Sequence, residues 1–261
     1  MNLSLEGRRA LVCGASQGIG LAAAQELASL GARITLLARN EESLKSALAT
    51  LPKVSSGSHD YAVADFSNSN NVSDLATDLV KTHEFDILIN NTGGPAGGPI
   101  SEANTDDFLA TFEQHLLCNH KLVQALLPGM KSRGHGRIVN VISTSVKAPL
   151  NNLGVSNTIR GAVANWSKTL ANEEGKNGIR VNNVLPGATN TSRLQGIIET
   201  KADKTGKSID EVKNEMIGAV PAGRFGEPNE IGSVIAFLCT PATDYISGIN
   251  LPVDGGRTAS L

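Results

Sequence analysis

The chain has 261 residues, 40% of them hydrophobic, and a formal net charge of −2 with no long basic run. That length allows one sizeable core, and that charge argues against nucleic acid and anionic membranes as partners. Three cysteines, Cys13, Cys118 and Cys239, lie too far apart for a disulfide framework or a zinc site, and no apolar run reaches transmembrane length, so a cytoplasmic protein without metal is expected.

Short β-branched runs alternate with helical patterns. A strand over 10–14 (ALVCG) precedes a helix, GIGLAAAQELASL, whose Ile19, Ala23, Leu27 and Leu30 share a face and which stops at Gly31. RITLLA (33–38) reads as a second strand, followed by a helix N-capped by Asn40. YAVAD (61–65) is a third strand, and a helix runs through Val72, Leu75, Leu79 and Val80. DILIN (86–90) is a fourth, leading into the glycine- and proline-rich loop NTGGPAGGPI and a long helix from Thr105 to Met130. GRIVNVIS (136–143), the helix containing GVSNTIRG, and IRVNNVLP (179–186) come next. A polar, mobile-looking segment over 187–226, helical around Ile209–Ile217, precedes a helix at Pro228–Leu238 and a last strand in INLPVDGG.

This repetition predicts an α/β fold with a doubly wound parallel sheet. No linker or repeat divides it, so one domain over 1–261 is expected. The 187–226 segment follows a strand's C-terminal end and reads as an active-site lid.

Gly14-Ala15-Ser16-Gln17-Gly18-Ile19-Gly20 joins the first strand to the first helix. Glycines there let the backbone turn tightly and approach a pyrophosphate resting on the helix N-terminus. An acidic residue at the end of the second strand would bond the ribose 2′-hydroxyl of NAD. Ala38 and Arg39 stand there instead. An arginine pairs bidentately with a 2′-phosphate, which favours NADP over NAD, although Gln17 adds no second charge. Asp65, with Phe66 after it, can accept from an adenine amino group. Asn91-Thr92-Gly93 forms a sharp turn toward the cofactor, a turn that asparagine chemistry alone would also explain.

The motifs GASQGIG, INNTG, GRIVNVIS, VNNVLPG, GRFGEP and VDGG, in this order and spacing, resemble the short-chain dehydrogenase/reductase family, most closely the 3-oxoacyl-acyl-carrier-protein reductases. The resemblance covers essentially the whole chain. It implies a seven-stranded Rossmann sheet, a homotetramer, and hydride transfer between NAD(P) and a carbonyl or alcohol carbon. It also implies that Pro186, Gly187, Thr189 and Thr191 lie against the nicotinamide carboxamide.

The family's active site is an asparagine, a serine, a tyrosine and a lysine. The serine maps onto Ser143. The tyrosine position holds Ser156 and the lysine position Arg160, with the register fixed by WSKTLA (166–171). The asparagine position falls on His115. Such a protein resembles a divergent subgroup with an altered tetrad. A serine hydroxyl is a far weaker acid than a phenol, and an arginine gives up no proton, so Arg160 can supply charge and ribose contacts only. Ser156 and Arg160 lie four apart beside a stripe of Val155, Ile159, Val163, Trp166 and Leu170, hence on one side of the helix. His115 could exchange a proton near neutrality, or simply make a structural bond. The remaining tyrosines, Tyr61 and Tyr245, lie elsewhere. His83 and His120 read as capping or surface residues, while Lys147, Asn151 and Asn152 border the cleft.

Arg193, Lys201, Lys204 and Lys207 make the 187–226 segment basic, suited to an acidic substrate such as a carrier-bound thioester, or simply a solvated face. Two functions remain: reduction of a small-molecule carbonyl with NADPH and an altered proton source, or NADP binding without turnover. Halohydrin dehalogenases are similar in placing arginine at the lysine position, but they keep the tyrosine and lose the glycine loop, the reverse of this chain.

Overall fold

In the computed structural model, which describes residues 1–55 and 57–260, seven parallel strands form one sheet. They are β1 (Arg9–Cys13), β2 (Arg33–Ala38), β3 (Asp60–Val63), β4 (Ile87–Asn90), β5 (Gly136–Val141), β6 (Ile179–Pro186) and β7 (Asn250–Val253). Their order is β3-β2-β1-β4-β5-β6-β7, so the chain reverses direction across the sheet between β1 and β4. A crevice at the C-terminal ends of the strands is where such sheets bind ligands.

The helices are α1 (Gly18–Ser29), α2 (Glu41–Leu48), α3 (Ser69–Thr82), α4 (Thr105–Phe112), α5 (Cys118–Ser132), α6 (Gly154–Glu174), α7 (Ser192–Thr205), α8 (Ile209–Gly218) and α9 (Pro228–Cys239). Strand side chains alternate between two buried faces, which is why the strand sequences are nearly continuously apolar. Ala10 and Val12 of β1 join Ala23 and Leu27 of α1 and Ile235 of α9 in one core. Leu11 and Cys13 join Val72 of α3 and Leu122 of α5 in the other. Helices α1 and α9 approach so closely that a Cβ at Gly232 would meet the Ala22 backbone at 2.8 Å.

A row of asparagines crosses four strands at matching register. Asn90 Nδ2 donates to Asn140 Oδ1 (2.8 Å), Asn140 Nδ2 to Asn183 Oδ1 (2.9 Å) and Asn183 Nδ2 to Asn250 Oδ1 (2.8 Å). Asn140 also donates to Ser167 Oγ on α6, so the row lies on the face that α6 covers.

Several expectations need correction. The single helix over 105–130 is interrupted by a π-helical stretch, Glu113–Leu117, that separates α4 from α5. An inserted residue leaves apolar spacing almost intact, so the pattern does not reveal it. The 187–226 segment holds two helices and not one, α7 and α8, which share a small core of Leu194, Ile198, Ala202, Val212 and Phe225. A backbone bridge between Thr189 and Gly226 closes the segment at its base. Several strands are also shorter than their sequence patterns: β3 stops at Val63 and β5 at Val141, leaving Asp65 and Ser143 in the connections beyond. No helix among the described residues is long and apolar enough to cross a membrane.

Candidate functional site

The glycine loop between β1 and α1 is sterically obligatory. A Cβ on Gly20 would overlap the Gly14 carbonyl oxygen, and one on Gly14, whose φ is +58°, would meet the Asn91 backbone oxygen at 2.6 Å. Gly18 also has φ +58°, and its open side faces Thr191 Cγ2 at 3.4 Å. Extended Gln17 is the N-cap of α1 and makes no side-chain cap bond, so the first amides of α1 are left for another acceptor. Ser16 is half-buried and Ile19 packs against the core. An uncapped helix N-terminus behind a bare glycine turn fits a pyrophosphate.

Arg39 is exposed at the end of β2, close enough to Asp65 for its charge to act on that carboxylate. Asp65 is held below the usual carboxylate range by the Ser67 backbone amide (2.9 Å) and then its hydroxyl. Phe66 is buried and its carbonyl accepts from the Cys118 thiol. Asn91 Nδ2 donates to the carbonyls of Cys13 and Gly14, both at 3.3 Å, so this amide ties the turn after β4 to the glycine loop.

His115 sits in the π-helical stretch with 3% of its surface exposed. Its Nδ1 is 2.5 Å from Thr92 Oγ1, and its Nε2 has no partner among the described residues. Burial first, then the charges of Arg160 and Arg193, pull its titration down to about 3, against the opposing Gly93 backbone. The ring is therefore neutral at physiological pH, which removes the near-neutral titration expected of it.

Ser143 follows β5 and caps a short 3-10 turn, its Oγ accepting from the Ser145 amide at 3.1 Å. Ser156 is half-buried in the first turn of α6. On that helix Val155, Ile159 and Val163 are buried, whereas Trp166 and Leu170 are only partly so. Arg160, expected at the stripe's edge, is itself buried, with 8% exposed. Its Nη1 donates to the Val141 carbonyl (3.2 Å), and desolvation followed by the Arg193 charge draws its pKa down to about 10. Arg193, near the start of α7, donates from Nη2 to the Pro95 carbonyl at 2.7 Å. Both guanidiniums reach the same glycine: a Cβ at Gly94 would lie 3.3 Å from Arg193 Nη2 and 3.4 Å from Arg160 Nη2. Among the described residues, no carboxylate pairs with either.

After β6, half-buried Pro186 leads to Gly187, whose Cβ position is filled by Asp254 at 2.7 Å. Thr189 is buried and donates to the Gly187 carbonyl, while Thr191 caps α7 by accepting from the Leu194 amide. A cleft of about 690 Å³ lies beside the start of α6, lined by Pro99, Ile100, Leu150, Asn151, Asn152 and Asn157. Lys147 is exposed nearby in the chain but does not line it. Tyr61 bonds Glu41, and Tyr245 is fully exposed. His83 caps α3 and His120 meets Trp166 edge-on. No group of His, Cys, Asp or Glu among the described residues could hold a metal.

The pairing of Arg193 with Arg160 is the feature that sequence reading misses. Arg193 stands out only as one of several basic residues in its segment, and nothing local announces that α7 brings it to the turn after β4.

A family model described as Enoyl-(Acyl carrier protein) reductase matches residues 14–258. A tropinone reductase homolog of Arabidopsis thaliana is 33% identical over 268 residues, covering 98% of this chain and 81% of that protein. Gluconate 5-dehydrogenase of Gluconobacter oxydans is 33% identical over 259 residues, covering 99% and 97%. Among solved structures, L-sorbose reductase from Gluconobacter frateurii, complexed with NADPH and L-sorbose, is 30% identical and superposes with a TM-score of 0.92 over 100% of both chains.

Proposed function

The chain belongs to the short-chain dehydrogenase/reductase family, and from that premise we propose that it is an NADP(H)-dependent oxidoreductase reducing a small-molecule carbonyl compound. One observation carries this reading. The uncapped start of α1, the Ser143 hydroxyl after β5 and the Arg160 guanidinium held by the β5 carbonyl of Val141 all lie at the C-terminal edge of one sheet. The NADPH-complexed sorbose reductase supports it.

In this reading the amides of Ser16 to Gly20 take the pyrophosphate, Arg39 the 2′-phosphate, and Asp65 with Phe66 the adenine. Asn91, Thr92 and Gly93 line the middle, and Pro186, Gly187, Thr189 and Thr191 the nicotinamide end. The cofactor supplies the hydride when bound. The Ser143 oxygen accepts from the Ser145 amide, so its hydroxyl hydrogen remains to donate to the substrate carbonyl oxygen. Ser156 adds a second hydroxyl in the first turn of α6, where the helix dipole favours a developing alkoxide. Arg160 offsets the same charge. Neither serine nor arginine yields a proton easily, so water supplies the proton that accompanies the hydride. His115 stays neutral and acts as a hydrogen-bond partner of Thr92. Residues 187–226 serve as the lid. The assembly is a homotetramer.

A second reading, NADP binding without turnover, is favoured by the position of Tyr61 and Tyr245, neither of which replaces the missing phenol. The deciding experiment follows NADPH oxidation against sugars, simple ketones, oxo acids and acetoacetyl thioesters. Oxidation with any of them supports the reductase. Tight NADPH binding with no oxidation across the panel supports the second reading.

A further inference from the structure

A dinucleotide lying along the strand ends meets cationic or amide-rich ground at three stations. Arg39 stands past β2, the uncapped N-terminus of α1 past β1, and the Arg160–Arg193 pair past β4 and β5. NADP answers the first two with its 2′-phosphate and its pyrophosphate. It has no anionic group left for the third, and its oxidised nicotinamide ring is itself a cation.

Yet the third station is the one that most needs an anion. Arg160 is buried, gives one hydrogen bond to a backbone carbonyl, and feels the repulsion of Arg193. An uncompensated buried charge is costly, and a second cation beside it adds to that cost. Gly94 leaves the space between them clear of side chain. The neighbouring His115 is neutral, so it neither adds to this repulsion nor relieves it.

We propose that Arg160 and Arg193 form a carboxylate-binding subsite, and that the substrate is an oxo acid whose carboxylate seats beside Gly94 while its ketone faces Ser143. This rests on the dinucleotide-reductase reading above. Arginine forks suit a planar carboxylate bidentately, and two of them select an acid against its ester.

The test is titration calorimetry on the full chain saturated with NADP⁺, where no reduction can occur. The probes are pyruvate, acetoacetate and levulinate, each against its methyl ester. At least one acid is expected to bind roughly tenfold or more tightly than its ester. Arg193→Gln is expected to abolish that difference. Gly94→Asp, which sets an internal carboxylate between the guanidiniums, is expected to do the same, with NADP⁺ affinity reporting that both variants are folded. Acids that bind no better than their esters, or fail to bind, overturn the proposal, as does an acid preference that survives both substitutions. The outcome is separable from turnover: an ester reduced by NADPH while no acid binds preferentially sinks the subsite and leaves the reductase standing. An acid that binds preferentially while NADPH is oxidised with nothing in the panel leaves the subsite standing and sinks the reductase.

Discussion

Thr92 Oγ1 and His115 Nδ1 lie 2.5 Å apart, linking the turn after β4 to the π-helical stretch between α4 and α5. The bond occupies one imidazole nitrogen and leaves Nε2 buried without a partner among the described residues. With burial drawing the folded pKa down to about 3, against about 6.5 in an unfolded chain, the ring binds its proton only after unfolding over that interval.

Stability is therefore expected to be insensitive to His115 above about pH 6.5 and to fall as pH drops from there toward about 3. His135, whose pKa burial lowers to about 4, adds to the same limb. Urea midpoints measured between pH 4 and 8 on the natural chain and on His115→Asn check this. The variant should lose slope on the acid side, up to about 1.4 kcal/mol per pH unit for one proton. Parallel profiles would show that the ring titrates normally.

Arg39 is expected to set cofactor preference. It is exposed at the end of β2, free to close on a 2′-phosphate. Calorimetry should give NADPH a lower Kd than NADH, and Arg39→Ala should shrink the ratio by roughly tenfold or more, the scale of a charge-assisted hydrogen bond. Equal affinities in the natural chain would remove the phosphate contact from consideration.

The paired substitution Ser156→Tyr with Arg160→Lys restores a phenol and a cation that can lower its pKa. A positioned general acid contributes about 10²–10⁴-fold, so reduction of a neutral ketone by NADPH should rise toward that range. The readout is kcat on a simple ketone. An unchanged rate in a folded double variant would mean that the proton was never limiting.

Gly20→Ala is expected to damage the glycine loop, because the new methyl overlaps the Gly14 carbonyl and meets Asn91 Nδ2 at 2.8 Å. Backbone on one side and a doubly bonded amide on the other leave it no easy escape. A loss of about 1–3 kcal/mol in stability and weaker NADPH binding should appear together in melting and titration experiments. A variant with natural Tm and affinity would contradict the packing described.

Much of this was legible in the sequence. Strand and helix alternate in the order that apolar runs and glycine stops indicate, because both faces of the sheet are covered and each strand must be apolar throughout. The glycine loop declared itself by spacing. The break at Glu113–Leu117 did not, since an inserted residue shifts the apolar stripe by less than the stripe is wide. Helix α7 was readable in Leu194, Ile198 and Ala202 behind the Thr191 cap, but its polar exterior resembles a loop. Helical spacing puts Arg160 at the edge of the α6 stripe, but its depth of burial and its proximity to Arg193 depend on how residues 187–226 fold back, which no local pattern encodes.

The asparagine row across β4, β5, β6 and β7 has a consequence for how this chain can drift. A residue swapped at Asn140 alone strands amides on two neighbouring strands and frees the Ser167 hydroxyl, each buried group costing about 1–3 kcal/mol. Asn183 is in the same position between Asn140 and Asn250. Apolar side chains of similar shape could fill the row with little loss, but only if all four positions changed together. Each intermediate on that path is worse than either end. The row thus behaves as a ratchet on the sequence: easily kept, and hard to leave one mutation at a time.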